Sequence, residues 1–566
     1  MPDFAPSPAP DSPSCAPVHR AAAGHAVDRR QVLLAALAGC VVPPLAQAAD
    51  RPAARPAARR TAAGTPGGGH AHGGAGAELQ TPGPASTAAG QMPAALRAVI
   101  QSAGLPLAHI GLQVQAVTAG AAPLASLNAE WPFQLASTAK LVTALAALHL
   151  LGQRYRWRTN AFITGPLQQG RLAGDLLIVG GGNALLRSDE LQAWFARMQA
   201  QGLHEVLGDI VLDRDAFRLH EQDFADTPQP AADRPHHAWP DALTLDEGRL
   251  RVNVQAGAGA GAGSRPLVRV WPALAGVRVD SQVSGGGCNV WAHWQPPPAG
   301  ALTGDPMLAV RGQWGRQCGE RELQLSPLSH EQFTNRAVLG LWRGAGGRLR
   351  GRVLDKPGRR PWPDRDAAPI EADPSLLGIA EADAAQPWSV HQSEPLPQLV
   401  RDINKTSDNL AARCLMLSLA RGFPQRAATL ADARDRLAGW LAQQGLAGDD
   451  IVVDNGSGLS RAERGKPRAM VQLLRGTWGT PQGRALLDSL PVAGIDGTLA
   501  HRMTRGAATG RAFLKTGSLL DTRALAGYVH AASGTVYAVT ALVNHPEAAR
   551  ATPTLDRLIE WVAARG

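Results

Sequence analysis

Three short strings constrain the fold of this chain more than any other feature. Ser137-Thr138-Ala139-Lys140, Ser407-Asp408-Asn409 and Lys515-Thr516-Gly517 occur once each, in that order. The first supplies a hydroxyl and an amine three residues apart. If Ser137 opens a helix, Lys140 lies one turn on and on the same face. The second adds a hydroxyl and an amide, and the third a fixed cation at an expected strand end. A serine nucleophile, a lysine base, a proton relay and an anion clamp work together only if they meet at one point. Since 270 positions separate Ser137 from Ser407, the fold has to join two distant pieces of chain in one domain.

Lysine usage sharpens this reading. The chain has 56 Lys+Arg but only five lysines, at 140, 356, 405, 466 and 515, and two of these stand in the strings that need an amine. Arginine cannot act as a general base near neutral pH, whereas a desolvated lysine can. An ordinary surface charge is therefore a weak account of Lys140 and Lys515. The net charge of +9 is spread along the chain without Lys/Arg-rich blocks. With no zinc-finger spacing and no basic helix interleaved with aromatics, nucleic acid is not an expected partner. Neither a metal nor another cofactor is expected: Thr334 stands where a second histidine after His330-Glu331 would be required, and no Gly-x-Ser-x-Gly elbow is present.

The N-terminus reads as an export signal over residues 1–48. Arg29 and Arg30 precede an apolar run, Gln31 to Leu45, followed by the small-residue pattern Ala46-Gln47-Ala48. That run contains prolines and is short for a membrane span. The paired arginines point to the twin-arginine route and to a periplasmic location. Leu37-Ala38-Gly39-Cys40 offers the alternative of a lipobox anchored at Cys40, with peripheral association to the envelope. Residues 49–91, rich in Ala, Pro and Gly, read as a disordered tether, with His70 and His72 as part of it. An oxidising compartment would permit a Cys288–Cys318 bridge with Cys414 as a buried thiol; three unpaired thiols is the alternative.

The folded part begins near Met92. A helix is expected over Met92–Ser102, a strand over Ile110–Ala116, and an apolar helix from Ser137 through Leu148 that is buried all round. From about 161 to 389 short β-like runs alternate with Gly- and Pro-rich turns, including an Ala-Gly loop at Ala256–Gly263 and a proline-rich loop at Asp355–Pro374. This stretch reads as one or two inserted β-rich domains. Helical texture returns at Pro395, a helix start is expected at Ser407, an edge strand at Lys515 and a hairpin around Ser533-Gly534. Segments 92–160 and 390–566 should thus form one discontinuous α/β domain. Asp496 and His501 read as a solvated loop pair. Asp213 and Phe217 could wall the site, or be a structural turn and a core aromatic.

Taken singly, Ser137 and Ser407 could be helix N-caps. Taken together, the three strings resemble the serine penicillin-binding proteins and β-lactamases. The long gap, with Val179-Gly-Gly-Gly-Asn183, Gly208-Asp-Ile-Val-Leu-Asp213, Asp454-Asn-Gly-Ser-Gly-Leu-Ser-Arg461, Leu490-Pro-Val-Ala-Gly494 and Ala524-Leu-Ala-Gly-Tyr528, resembles the class C low-molecular-mass branch. That branch is the D-alanyl-D-alanine carboxypeptidase/endopeptidase (S13) family. The resemblance implies a transpeptidase-like fold, an antiparallel sheet flanked by helices, with inserted domains. It implies peptidoglycan stem peptides as substrates and β-lactams as ligands. It implies Ser137, Lys140, Ser407 and Asn409 as catalytic residues, and Lys515, Thr516, Gly517, Ser518 and Arg461 as substrate-binding ones. A β-lactamase-like hydrolase and a catalytically silent penicillin-binding scaffold are the alternatives. Leu520, two past Ser518, departs from the polar residue found in some relatives.

Overall fold

The computed structural model describes residues 92–224, 239–257, 265–296, 305–356 and 386–565. The expected leader, Cys40, the tether and most of the Ala-Gly and proline-rich loops lie outside the described residues.

The central sheet has five antiparallel strands in the order Pro123–Leu127, Ile110–Ala116, Val536–Asn544, Thr522–His530, Ala512–Leu519. Residues from both ends of the chain therefore share one sheet, and the strand carrying Lys515 is its edge. Side chains alternate between faces along a strand. Leu525 and Val529 pack on one face with the helices Ala94–Gln101 and Thr552–Ala563. Ala524, Ala526 and Tyr528 pack on the other with the helix Ala139–Leu150. Helix-facing apolar residues at both phases explain why Ala524 to Val529 form an unbroken apolar, buried run in this strand.

The helix Ala139–Leu150 is enclosed as its composition predicts, with every residue from Ala139 to Leu148 buried. Leu399, Val400 and Ile403 of the helix Leu396–Thr406, Leu410 and Leu415 of Asn409–Leu417, and Met470 and Leu474 of Pro467–Thr477 share its core. Each fully buried leucine contributes about 1.5–3 kcal/mol.

The chain leaves this body at Trp157 and returns at Ser393, where Trp157 N–H donates to Ser393 Oγ (2.9 Å) and Ser393 N–H to Trp157 O (3.0 Å). Between them lies a second five-stranded sheet, ordered Val353–Asp355, Ile210–Asp213, Leu176–Val179, Arg158–Ile163, Ser389–Gln392. Its first three strands run parallel. Two helices not expected from the sequence, Ser188–Ala200 and His330–Gly344, pack with this sheet through Leu191, Trp194, Phe195, Phe333, Leu341 and Trp342. Their apolar spacing and acidic first turns were legible, but the surrounding Gly- and Pro-rich turns masked them. Cys288 and Cys318 are bridged, with Cα atoms 5.5 Å apart, and Cys414 is a buried free thiol. No described helix is long and apolar enough to cross a membrane.

Candidate active site

Ser137 sits in a 3-10 turn, Ala136–Thr138, that runs directly into the buried helix. Ala136 enters the turn at φ +46°, a left-handed conformation that side-chain-bearing residues seldom adopt. Thr138 Oγ1 donates to Leu135 O (2.6 Å), which holds the turn closed. No side-chain cap bond is made by Ser137, so the N-cap alternative fails. Its hydroxyl faces Lys140 instead, with Nζ 3.1 Å from Oγ.

Lys140 is 1% exposed. Its amine also donates to Asn409 Oδ1 (2.6 Å) and to the Ser457 carbonyl. Burial lowers its pKa to about 7; the charges of Glu463 and Asp408 favour the ammonium, and Arg413 opposes it. An amine that is substantially neutral near pH 7, in contact with a hydroxyl, can accept its proton.

Ser407 does not open a helix, contrary to the sequence expectation. It is a single left-handed residue (φ +61°) linking the helices Leu396–Thr406 and Asn409–Leu417. The N-cap is Asp408, which accepts from Ala411 N–H (2.9 Å). The strained link turns the Ser407 hydroxyl toward Lys515, whose Nζ lies 2.8 Å away. Asn409 is the first residue of the second helix, and its carboxamide reaches Lys140.

Lys515 is fully buried in the edge strand and donates also to Thr516 O (2.9 Å). Burial, then repulsion from Lys140, hold its pKa well below the ordinary lysine value. Thr516 Oγ1 donates to Thr498 Oγ1 (2.8 Å). At Gly517 a Cβ would come within 3.0 Å of Ala136 Cβ and Leu135 O, so the strand passes directly over the nucleophile turn. Ser518 follows it and is exposed. Arg461 bridges Gln134 Oε1 (2.9 Å) and Asp521 Oδ1 (2.7 Å) and keeps 41% of its side chain open to solvent. Leu520 is 87% exposed at the adjoining turn.

Asp496 is not one of a solvated pair: both its oxygens accept from Lys405 Nζ at 2.6 Å, and Oδ1 also accepts from Val492 N–H (2.9 Å). Asp213 accepts from Lys356 (2.9 Å), and Phe217 stacks on Phe423, so both serve structure. The sequence reading missed the Ser457 carbonyl, Thr498 and Glu463. Ser457 lay within a string already singled out; a buried acid such as Glu463 carries no sequence signal.

The antiparallel sheet and its two lysine–serine contacts define a class, the serine-type peptidases built as penicillin-binding proteins. The family follows from comparison: the model of the D-Ala-D-Ala carboxypeptidase 3 (S13) family matches residues 92–358 and 370–564, and the chain belongs to it. Family membership carries a general activity, serine hydrolysis of cell-wall peptidoglycan with carboxypeptidase or endopeptidase action. Among curated relatives, the D-alanyl-D-alanine carboxypeptidase DacB of Haemophilus influenzae is 24% identical over 72% of this chain and 80% of its own length. The D-alanyl-D-alanine carboxypeptidase of Actinomadura sp. strain R39 is 28% identical over 70% of this chain and 71% of its own. The crystal structure of penicillin binding protein 4 (dacB) from Haemophilus influenzae is similar in fold, with TM-score 0.61 and 22% identity, covering 83% of this chain and all of that one.

Proposed function

We propose that the protein is a D-alanyl-D-alanine carboxypeptidase, endopeptidase or both, working through an ester on Ser137. The observation that carries this reading is the Lys140 Nζ–Ser137 Oγ contact of 3.1 Å inside a site where burial lowers the pKa of the amine to about 7. Ser137 Oγ attacks the carbonyl of the penultimate D-alanine of a stem peptide and gives its proton to Lys140. The C–N bond to the last residue breaks, and Ser407 gives its hydroxyl proton to the departing amine and takes one back from Lys515. The proton that Lys140 took from Ser137 restores Lys515, so that one proton in all has moved from Ser137 to the released amine. Asn409 orients Lys140. Lys515 and Thr516 hold the terminal carboxylate, which on arrival favours the ammonium form of Lys515. The backbone N–H groups of Ser137 and Ser518 receive the developing oxyanion, an effect worth about a hundredfold to a thousandfold in rate. Gly517 lets those two groups approach, and Arg461 lies at the edge where the stem peptide would enter. Water then cleaves the ester. A β-lactam forms the same ester, but its ring-opened acyl group resists that water.

The protein works in the periplasm in this reading, exported through residues 1–48 or anchored at Cys40; N-terminal sequencing of the mature protein distinguishes the two. Incubation with fluorescent penicillin followed by peptide mapping should place the adduct on Ser137. Labelling of another serine, or none on folded protein, overturns the assignment. Rapid turnover of the penicillin with no action on muropeptides would identify a β-lactamase instead, and stable labelling without peptide hydrolysis a silent scaffold. Comparing a free pentapeptide with a cross-linked dimer separates carboxypeptidase from endopeptidase action.

A further inference from the structure

Glu463 is fully buried immediately behind the nucleophile turn. Its backbone carbonyl accepts from Leu135 N–H (3.2 Å), two residues before Ser137. Its Oε1 accepts from three successive backbone N–H groups, those of Asp454 (3.2 Å), Asn455 (3.1 Å) and Gly456 (2.7 Å). The loop so held delivers the Ser457 carbonyl to Lys140 Nζ. At the next residue a Cβ on Gly458 would lie 2.0 Å from Ala136 O. The Gly458 N–H also favours the charged carboxylate. One residue therefore braces both sides of the lysine, its backbone carbonyl holding the Ser137 turn and its carboxylate holding the loop that carries Ser457.

We propose that Glu463 is a positioning residue for the base: it sets the proton affinity of Lys140 and holds the Ser457 carbonyl against its amine. The inference rests on Lys140 serving as the base. The charged groups facing Lys140 are Glu463, Asp408 and Arg413, with Lys515 beside it; those facing Glu463 are Asp454 and Lys140, with Arg413 also near. Burial and Asp454 raise the Glu463 carboxyl to about 7, where Lys140 itself titrates. Proton loss from the one is then linked to proton loss from the other, and near neutrality the pair shares its protons.

The chain's five lysines make the test direct. Selective 13Cε-lysine labelling gives a spectrum simple enough to follow Lys140 by pH titration, with Lys140→Ala identifying its signal. Glu463→Gln keeps an oxygen for the three N–H groups and removes the charge. Lys140 should then titrate about one pH unit lower, and acylation by penicillin at pH 6 should rise about fivefold. An unchanged Lys140 titration in folded Glu463→Gln overturns the inference while leaving Lys140 as the base. A shifted titration with an unshifted acylation profile upholds the linkage and removes Lys140 as the base. Should the variant not fold, the wild-type signal decides. A biphasic titration supports the pair, and a single simple step overturns it.

Discussion

Lys140 is uncharged for much of its time because the helices around it exclude water, and no nearby anion fully offsets that loss. The consequence is a pH profile with a definite sign. In the proposed mechanism acylation requires the neutral amine, so its rate should rise with pH through about 7. The same proposal has charged Lys515 bind the substrate carboxylate, so the alkaline limb should fall well short of the ordinary lysine range. Lys140→Arg, which keeps a permanent cation, should lower acylation about 10²–10⁴-fold in stopped-flow measurements. A variant as fast as wild type would mean that some other group takes the proton. At this scale much was legible: local spacing pairs Ser137 with Lys140, as the structure shows, and the proposed chemistry calls for those residue types. Glu463 was not, because nothing in a lone acid reveals that it will be buried.

Among the elements, two short irregular pieces matter more than the long helices. The turn at Ala136–Thr138 and the link at Ser407 both carry left-handed residues with side chains, at φ +46° for Ala136 and +61° for Ser407. Such conformations cost of order 1 kcal/mol or more and persist where surrounding contacts enforce them. The first is enforced by Gly458 (φ +88°), whose backbone fits against Ala136 only without a side chain. Gly458→Ala should therefore displace the Ser137 turn. The expected result is a loss of more than about 1 kcal/mol in denaturant unfolding and a large fall in penicillin labelling. Unchanged labelling would show that the turn keeps its place without that close fit. The Lys405–Asp496 pair ties the end of the helix Leu396–Thr406 to the loop bearing Thr498, the partner of Thr516. Sequence reading placed these elements in order but treated Asp496 as solvated, since a pairing across 91 positions leaves no local pattern.

In the whole molecule, the segment between Trp157 and Ser393 reaches the Ser407-Asp408-Asn409 string directly. Glu247 contacts Asp408, and burial together with that carboxylate raises Glu247 to about 8. An acid whose folded pKa exceeds its unfolded value, 4.5 here, binds more protons when folded. Stability from this group therefore declines as pH rises from about 4.5 through about 8. Glu247→Gln removes the titration, so its Tm advantage over wild type should grow between pH 5 and pH 9; parallel curves would refute this. The Cys288–Cys318 bridge closes a separation of 30 residues. Cys288→Ser with Cys318→Ser should cost about 3–4 kcal/mol by the chain-entropy account. Penicillin labelling should survive at temperatures where the protein stays folded, because none of the site residues lies between the two cysteines.

The sequence by itself determined which residue types are on hand for the proposed chemistry, the burial of the helix behind Ser137, and the need for two distant segments to converge. These follow from reaction requirements and hydrophobic periodicity, which are written in residue identity and spacing. Only the tertiary structure decided the left-handed turn of Ser407, the Ser457 carbonyl on the amine, the Glu463 brace and the contact between Glu247 and Asp408. Each depends on burial and on groups brought together from far along the chain. Proton affinity is set by that enclosure, so an amine's charge state is a property of the fold.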